Sequence, residues 1–184
     1  MAPEQALEAA MRVFWAEGYD AASIDQLCRE THMPRSSLYQ MYGDKEGLFL
    51  AVIAHYVKTH LAPLTDALGP CGTLKADLSN FFNEVVALAT RDSRTPGCLI
   101  SCVLAEVAGA NDVFRQELDR RFSALENKIA QRLAHEDAAQ PNSETQALAG
   151  MLAAVARGIM LRARSGARRA DLHAVAVIAV KRAV

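Results

Sequence analysis

Apolar side chains recur at helical spacing along almost the whole chain. In the first segment Leu7, Ala10, Met11 and Phe14 stand at positions i, i+3, i+4 and i+7, which places them on one face of a helix. Later segments repeat this period as far as the C-terminus, and no segment alternates apolar and polar residues as a half-buried strand does. The pattern predicts an all-α fold.

The N-terminal part is predicted to form three short helices. Gly18 is expected to close the first helix, and Ser23 to open the second through a capping box with Gln26. Pro34 stops the second helix and suits the first turn of a third, which we predict over residues 35–41. Two short helices joined by a tight turn form a helix-turn-helix, which fits the major groove of DNA.

The chain is expected to divide into two domains. Asp44 caps a fourth, longer helix that is predicted to end near Pro63. We expect residues 1–46 to form the helix-turn-helix DNA-binding domain and residues 47–184 to form a helical ligand-binding and dimerisation domain. Loops are predicted at residues 69–72 and 137–142. Helices of the larger domain are expected to begin near Leu74, Leu99, Asn111, Ser143 and Leu172, with Asn111 as a cap and Ser143 opening a capping box with Gln146.

The last two helices are predicted to need a partner surface. The final one, over residues 172–184, is apolar on nearly all sides, and the preceding helix from Ser143 is rich in alanine and glycine. A terminal helix of that kind is not stable against water. The pattern therefore predicts a homodimer joined through the last two helices.

The third helix carries side chains suited to DNA recognition. Its spacing points Leu38 and Met41 toward the small N-terminal core. We expect its outward face to carry Arg35, Ser36, Tyr39 and Gln40. Arginine and glutamine can read guanine and adenine edges, while serine and tyrosine can bind phosphates.

Several motifs stand in order along residues 9–56. They are Phe14-x-x-x-Gly18-Tyr19, Ser23-Ile24-x-x-Leu27 and Ser37-Leu38-Tyr39-x-x-Tyr42-x-x-Lys45-x-x-Leu48. Together they resemble the TetR family of bacterial transcriptional repressors. The resemblance implies that Tyr39, Tyr42 and Lys45 touch the DNA backbone. It also implies that Arg35, Ser36 and Gln40 lie where bases are read. The candidate DNA-binding residues are Arg35, Ser36, Ser37, Tyr39, Gln40, Tyr42 and Lys45, and the expected partner is double-stranded operator DNA with a palindromic sequence.

Two features depart from the family pattern. His32 replaces a glycine that is usual in the turn, although histidine is among the residues enriched in the left-handed conformation. Through Leu50 the chain has eight acidic residues against four basic ones, so the affinity that DNA binding gains from counterion release is expected to be modest.

The larger domain is expected to bind a small molecule that releases the protein from DNA. Its apolar and aromatic residues suggest a hydrophobic or aromatic effector. The candidate ligand-binding residues are Tyr56, His60, Phe81, Phe82, Cys98, Cys102, Phe122, Met151 and Val155. His55 and His60 are five residues apart, with no carboxylate or cysteine at a matching spacing, so no metal or other cofactor is expected.

The cysteines leave an alternative mode of regulation open. Cys98 and Cys102 lie four residues apart, on one helical face, and buried free cysteine is commonly just a small hydrophobic residue. The segment Gly97-Cys98-Leu99-Ile100 is similar to one found in some TetR-type repressors, in certain of which the cysteine senses electrophiles or oxidants. Cys98 near a helix N-terminus would also have more thiolate. A thiol-sensing repressor is therefore the alternative hypothesis.

Other classes of protein are disfavoured. A formal net charge of −1 does not indicate a nonspecific nucleic-acid binder. No segment is expected to span a membrane, and the N-terminus has no pattern of an export signal, so a cytoplasmic location with reduced thiols is expected. The sequence shows no converging catalytic set, and no catalytic residue is predicted. A helical-bundle enzyme or a pure interaction protein is the remote alternative.

Overall fold

The computed structural model describes residues 3–136 and 140–184, and within them every regular element is a helix. The chain forms two compact units, residues 1–61 and residues 62–184. The all-α prediction is confirmed. The division by packing falls later in the chain than the functional boundary expected at residues 46 and 47, because the fourth helix packs against the first.

The N-terminal unit begins with the three predicted short helices. They are α1 (Pro3–Glu17), α2 (Ile24–Thr31) and α3 (Arg35–Tyr42), followed by α4 (Lys45–Tyr56). The Ser23 hydroxyl accepts from the Gln26 backbone N–H and the Asp44 carboxylate from Gly47, as predicted for caps. The Gln26 side chain does not complete the capping box; it donates instead to Glu17 on α1, at 3.3 Å.

An aromatic core holds the N-terminal unit together. Phe14 on α1 lies 4.8 Å from Phe49 on α4 between ring centroids, and Tyr19 packs on both rings. Leu27 from α2 and Leu38 from α3 are fully buried. Met41 was predicted to point into this core, and that prediction is wrong, because its side chain is 53% exposed. Of the two α3 residues predicted to face the core, Leu38 is buried there and Met41 is not.

The turn between α2 and α3 contains the predicted left-handed residue. His32 has a φ of 53°, and the N–H of Met33 donates to the carbonyl of Cys28. Histidine adopts this conformation at a cost that glycine avoids. The turn is therefore formed without the glycine that is usual there.

The fourth helix extends beyond its predicted end near Pro63. It continues into a π-helix, π1 (Val57–Leu61), and then into α5 (Ala62–Asp66). Proline clashes with the carbonyl four residues earlier in a regular α-helix. The π-turn directly before it widens the hydrogen-bond spacing to five residues, so that the helix continues past the proline.

The helix Lys45–Asp66 is long and apolar enough, by length and composition alone, to cross a membrane. The charges that interrupt the apolar segments of the sequence predict no such span. Phe49, Val52, Ile53 and Tyr56 of this helix are buried in the core of the N-terminal unit. A buried core helix of a folded domain meets the same two criteria as a membrane span.

The second unit contains both long and short helices. After α5 they are α6 (Leu74–Thr90), a second π-helix π2 (Leu99–Leu104), α7 (Ala105–Ala108), α8 (Asp112–His135), α9 (Ser143–Arg164) and α10 (Arg169–Ala183). The predicted starts at Leu74 and after Asn111 are confirmed. The predicted α-helix over residues 99–107 begins as a π-helix. The predicted loop at residues 137–142 lies partly outside the described residues, which omit 137–139.

The cap of α9 differs from the prediction by one residue. The side chain of Asn142, and not that of Ser143, accepts the backbone N–H groups of Glu144 and Thr145. The Thr145 hydroxyl completes the capping box by accepting the N–H of Asn142. Asparagine is among the best N-cap residues, so Asn142 takes the N-cap position predicted for Ser143, and Ser143 becomes the first residue of the helix.

A buried ion pair joins α6 to α8 in the second unit. Asp77 and Arg132 are almost fully buried, and the Arg132 Nε donates to the Asp77 carboxylate at 2.8 Å. The same carboxylate accepts the backbone N–H groups of Cys71 and Gly72, and Arg132 also donates to the Gly72 carbonyl. The pair therefore fixes the loop before α6 to both helices.

Candidate DNA-binding surface

Helix α3 presents a polar face to solvent. It is eight residues long, and Leu38 is its one fully buried side chain among the described residues. The exposed side chains on it include those predicted to face outward, which are Arg35, Ser36, Tyr39 and Gln40. Ser37 and Tyr42 are half-buried. The predicted outward orientation is confirmed, so the side chains proposed for base and phosphate contacts are accessible.

Arg35 is held by an acidic residue of the preceding helix. Its guanidinium Nη2 donates to the Asp25 carboxylate at 2.6 Å, across the turn between α2 and α3. The hydrogen bond to Asp25 and the charge of its carboxylate raise the pKa of Arg35 above its ordinary value. This pair was not predicted from the sequence, because a separation of ten residues across a turn has no periodic signal.

Lys45 is less free than its sequence position suggests. Its ammonium lies 4.6 Å from the centre of the Tyr19 ring and donates to the Asp20 carbonyl at 3.3 Å. Burial lowers the pKa of Lys45, and the nearby Asp20 carboxylate partly opposes that effect. This end of the surface therefore has a cation that is already bound to the loop between α1 and α2.

The phenol of Tyr42 differs from that of Tyr39 in its environment. Tyr42 is half-buried, and burial raises the pKa of its hydroxyl. Tyr39 is 39% exposed. A tyrosine hydroxyl of either kind can donate a hydrogen bond to a phosphate oxygen.

Two family profiles match this chain. The profile of bacterial regulatory proteins of the tetR family matches residues 6–52. The profile of the C-terminal domain of LmrA/YxaF-like transcriptional regulators matches residues 75–177, which is more than half of the chain. The chain belongs to the TetR family. The first TetR profile covers the helix-turn-helix described above, and the second covers α6 to α9 with most of α10.

Two transcriptional repressors are similar in sequence to this TetR-family chain over nearly all of its length. The HTH-type transcriptional repressors BdcR and ComR of Escherichia coli strain K12 are 29% and 26% identical to it. The matches cover 97% and 94% of this chain, and 87% and 84% of the relatives. The chain is a TetR-family DNA-binding transcriptional repressor.

A solved structure similar to this TetR-family chain contains DNA. It is a cysteine mutant of the TetR family transcriptional regulator CifR, complexed with 26bp double-strand operator DNA. It has a TM-score of 0.86 and 26% sequence identity, and the match covers 98% of this chain and 96% of that chain. The likeness supports DNA as the partner of this chain.

The residues predicted to bind an effector of this TetR-family protein are distributed over both units. Tyr56 and His60 lie in the N-terminal unit with their rings stacked at 5.2 Å. The others lie in the second unit, where Phe81 and Phe82 are buried neighbours on α6 with ring centroids 5.1 Å apart. Cys98 and Cys102 are buried, and Phe122 and Val155 are half-buried.

Met151 does not belong to the buried interior. Its side chain is 47% exposed on α9, where the buried positions are occupied by Leu152, Ala153 and Ala156. Phe122, a candidate effector-binding residue, contacts a cation of its own chain. The Arg157 guanidinium lies 3.8 Å from the centre of the Phe122 ring and donates to Glu126. A cation on the ring makes this part of α8 and α9 more polar than the sequence predicted.

The predicted placement of both buried cysteines on one helical face is wrong, because Cys98 is the extended residue before π2 and only Cys102 lies within π2. The backbone N–H of Cys102 donates to the carbonyl of Cys98, and the Cys102 thiol lies 3.9 Å from the carbonyl of Met160 on α9. Burial raises the pKa of the Cys102 thiol, which leaves little thiolate at neutral pH. Among residues 3–136 and 140–184, no three His, Cys, Asp or Glu side chains cluster so that they could hold a metal ion.

Proposed function

We propose that this TetR-family repressor binds a palindromic operator as a homodimer and is released from it by a small hydrophobic effector. The observation that carries the proposal is the solvent-facing set on α3, with Arg35, Ser36, Tyr39 and Gln40 exposed on a helix-turn-helix. In this proposal residues 1–46 bind DNA in the cytoplasm, and residues 47–184 bind the effector and the second copy.

Each side chain of the surface has a proposed role. Arg35, Ser36 and Gln40 contact base edges in the major groove, where arginine pairs with guanine and glutamine with adenine. Ser37, Tyr39, Tyr42 and Lys45 contact phosphates and set the position of α3 on the duplex. Because Lys45 already lies on the Tyr19 ring, its contribution to phosphate binding comes from a preorganised cation.

A homodimer accounts for the apolar residues that α9 and α10 leave in contact with solvent. These exposed side chains include Met151 and Leu161 on α9 and Val175, Val177 and Ile178 on α10. A second copy that covers them buries both sets at once, as a two-fold interface does. Two α3 helices held about 34 to 36 Å apart then enter successive major grooves of a palindromic site.

The effector acts by favouring a dimer with another spacing of the two α3 helices. A ligand shifts such an equilibrium only by its difference in affinity for the two states, for which about 1 to 3 kcal/mol per coupled site is typical. The buried Phe81 and Phe82 on α6, together with Val155 on α9, supply the apolar surface for a hydrophobic ligand. Mass spectrometry of the purified protein under native conditions tests for such a ligand.

The DNA-binding proposal is tested by a gel-shift titration with the DNA upstream of the chain's own gene. We expect the wild type to retard this DNA and Arg35→Ala to retard it only weakly. Arg29→Ala is the matched control, because Arg29 is an exposed arginine of α2 paired with Glu30 and outside the proposed surface. Equal binding by the wild type and Arg35→Ala would remove α3 from the proposed contact.

A further inference from the structure

The ion pair between Asp25 and Arg35 lies on the surface proposed to meet DNA. Asp25 is in the first turn of α2 and Arg35 is the first residue of α3. Their side chains are 82% and 55% exposed, although the Nη2 to Oδ1 distance is only 2.6 Å. The two charges therefore pair while both are in contact with water, where neither charge needs a partner to replace lost solvation.

The stability of the fold does not account for this contact. An ion pair this exposed contributes little to folding, because water and salt screen the attraction in the folded protein and because ordering both side chains costs entropy. A carboxylate on a DNA-facing surface also repels phosphates and lowers the affinity for DNA of any sequence. The effect of the pair is therefore to be sought in how Arg35 binds DNA.

The geometry leaves most of the guanidinium available. Asp25 accepts from Nη2, and the guanidinium has further N–H donors on Nε and Nη1. An unrestrained arginine side chain samples many rotamers and loses that freedom when it binds a base. A carboxylate that binds one nitrogen of the guanidinium reduces the entropy lost on binding. The remaining N–H donors can still bind guanine O6 or N7.

We propose that Asp25 is a positioning residue that orients Arg35 for one guanine and thereby sets the base preference of this repressor. The proposal rests on the base-reading role proposed above for Arg35. Asp25 acts in two ways: it restricts the guanidinium to one orientation, and its charge penalises complexes in which Arg35 has no base to bind. Asp25 thus increases discrimination between sequences while it lowers affinity for all of them.

The experiment begins with the DNA itself. The full-length wild-type protein selects sequences from a random double-stranded DNA library, and Arg35→Ala identifies the guanine whose enrichment depends on Arg35. Affinities are then measured at one salt concentration for the selected duplex and for the same duplex with that base pair replaced. The ratio of the two affinities is the base preference, and Arg35→Ala is expected to reduce it roughly 5- to 150-fold.

Asp25→Asn is expected to reduce the base preference by about fivefold or more and to bind the replaced duplex more tightly than the wild type does. Asp25→Glu, which keeps the carboxylate, is expected to retain part of the preference. Glu30→Gln is the matched control: it removes an exposed carboxylate from the same helix, where Glu30 pairs with Arg29 at 3.6 Å. It is expected to raise both affinities alike and to leave the ratio unchanged.

The outcomes separate this proposal from the one it rests on. If the wild type selects no sequence, or selects one without dependence on Arg35, the base-reading role of Arg35 is wrong. If the preference depends on Arg35 but survives Asp25→Asn, then Asp25 has no positioning role and the inference is overturned. Asp25→Ser is a second variant in case the asparagine protein does not fold. In the Arg35→Ala background, Asp25→Asn is expected to have no effect on the ratio.

Discussion

The phenol of Tyr39 lies on the exposed side of α3, and Met41 of the same helix is also exposed. At the scale of this one residue, Tyr39→Phe removes the hydroxyl, which can donate a hydrogen bond, and keeps the ring. We expect DNA affinity to fall roughly 3- to 10-fold on every sequence, because a phosphate contact carries no base information. Fluorescence anisotropy at fixed salt measures this. Met41→Leu is the control and is expected to leave affinity unchanged; a loss confined to one sequence would make Tyr39 a base contact.

The carboxylate of Asp77 supports a stability prediction in the second unit. Asp77→Asn leaves the buried Arg132 guanidinium with Glu136 as its remaining charged partner. We expect the free energy of unfolding to fall by about 3 kcal/mol, the low end for a broken buried ion pair, because Glu136 still compensates part of the Arg132 charge. Denaturant titration measures it. Asp112→Asn, which breaks an exposed pair with Arg115, is the control expected to change little. Equal stability of the two variants would contradict the prediction.

The same carboxylate predicts a dependence of stability on pH. Burial alone would raise the pKa of Asp77, but hydrogen bonds from Cys71, Arg132 and Gly72 outweigh burial and lower it. A lowered folded-state pKa means that the stabilisation is complete above the unfolded value of about 3.9 and is lost as the pH falls through the folded value. The difference in stability between the wild type and Asp77→Asn is therefore expected to be constant near neutral pH and to shrink below about pH 4. If the stability difference between the wild type and Asp77→Asn grows as the pH falls, the pKa of Asp77 is raised by folding and the prediction is wrong.

At the scale of elements, the burial of π2 and of the residue before it limits the access of reagents to Cys102 and Cys98. Cys98 and Cys102 are buried, while Cys71 in the loop before α6 is exposed. We expect Ellman's reagent to modify Cys71 quickly and the two buried thiols at least about tenfold more slowly, at a rate limited by local opening. Peptide mass spectrometry assigns each site, and Cys71→Ser is expected to remove the fast phase.

This measurement also decides between the two modes of regulation. The hypothesis that Cys98 senses oxidants or electrophiles requires its thiol to react in the folded protein. If Cys98 is modified as fast as Cys71 and the modification releases DNA, thiol sensing replaces the small-molecule effector. If Cys98 stays unmodified in the folded protein, its thiol acts as a small buried hydrophobic group.

At the scale of the whole molecule, the exposed apolar residues of α10 predict the assembly. We expect sedimentation at micromolar concentration to give twice the mass of one chain. Val177→Asp places a charge in the proposed interface and is expected to weaken the dimer, because burying an unpaired charge is strongly unfavourable. Val113→Asp is the matched control, since Val113 is a similarly exposed valine in the first turn of α8. A monomeric wild type, or a dimer that Val177→Asp leaves intact, would rule out this interface.

The elements were predictable because their signals are local. Ser23, Asp44 and Asn111 cap the helices they were predicted to cap, through hydrogen bonds to residues at most three positions away. Apolar periodicity likewise reports on neighbours within one or two turns. The error at Ser143 was a shift by one residue, between two adjacent side chains that can both cap a helix.

Features that depend on a second element were not predictable. Met41 was placed in the core by its spacing, but only the packing of α3 against α2 and α4 decides which face is covered. The π-helices also escaped prediction, because a shift from four-residue to five-residue hydrogen bonds leaves the apolar pattern nearly unchanged. Asp77 and Arg132 are 55 residues apart in sequence and meet only when α6 and α8 pack.

The sequence by itself determined the helical class, the caps, the left-handed turn at His32 and the set of side chains that α3 carries, since each depends on the residue and its close neighbours. The tertiary structure decided what those side chains touch. It brought Asp25 to Arg35 across a turn and placed Lys45 on the Tyr19 ring. Such contacts arise where chain segments meet in space, and their energies depend on distance and solvent exposure, which no spacing in the sequence records.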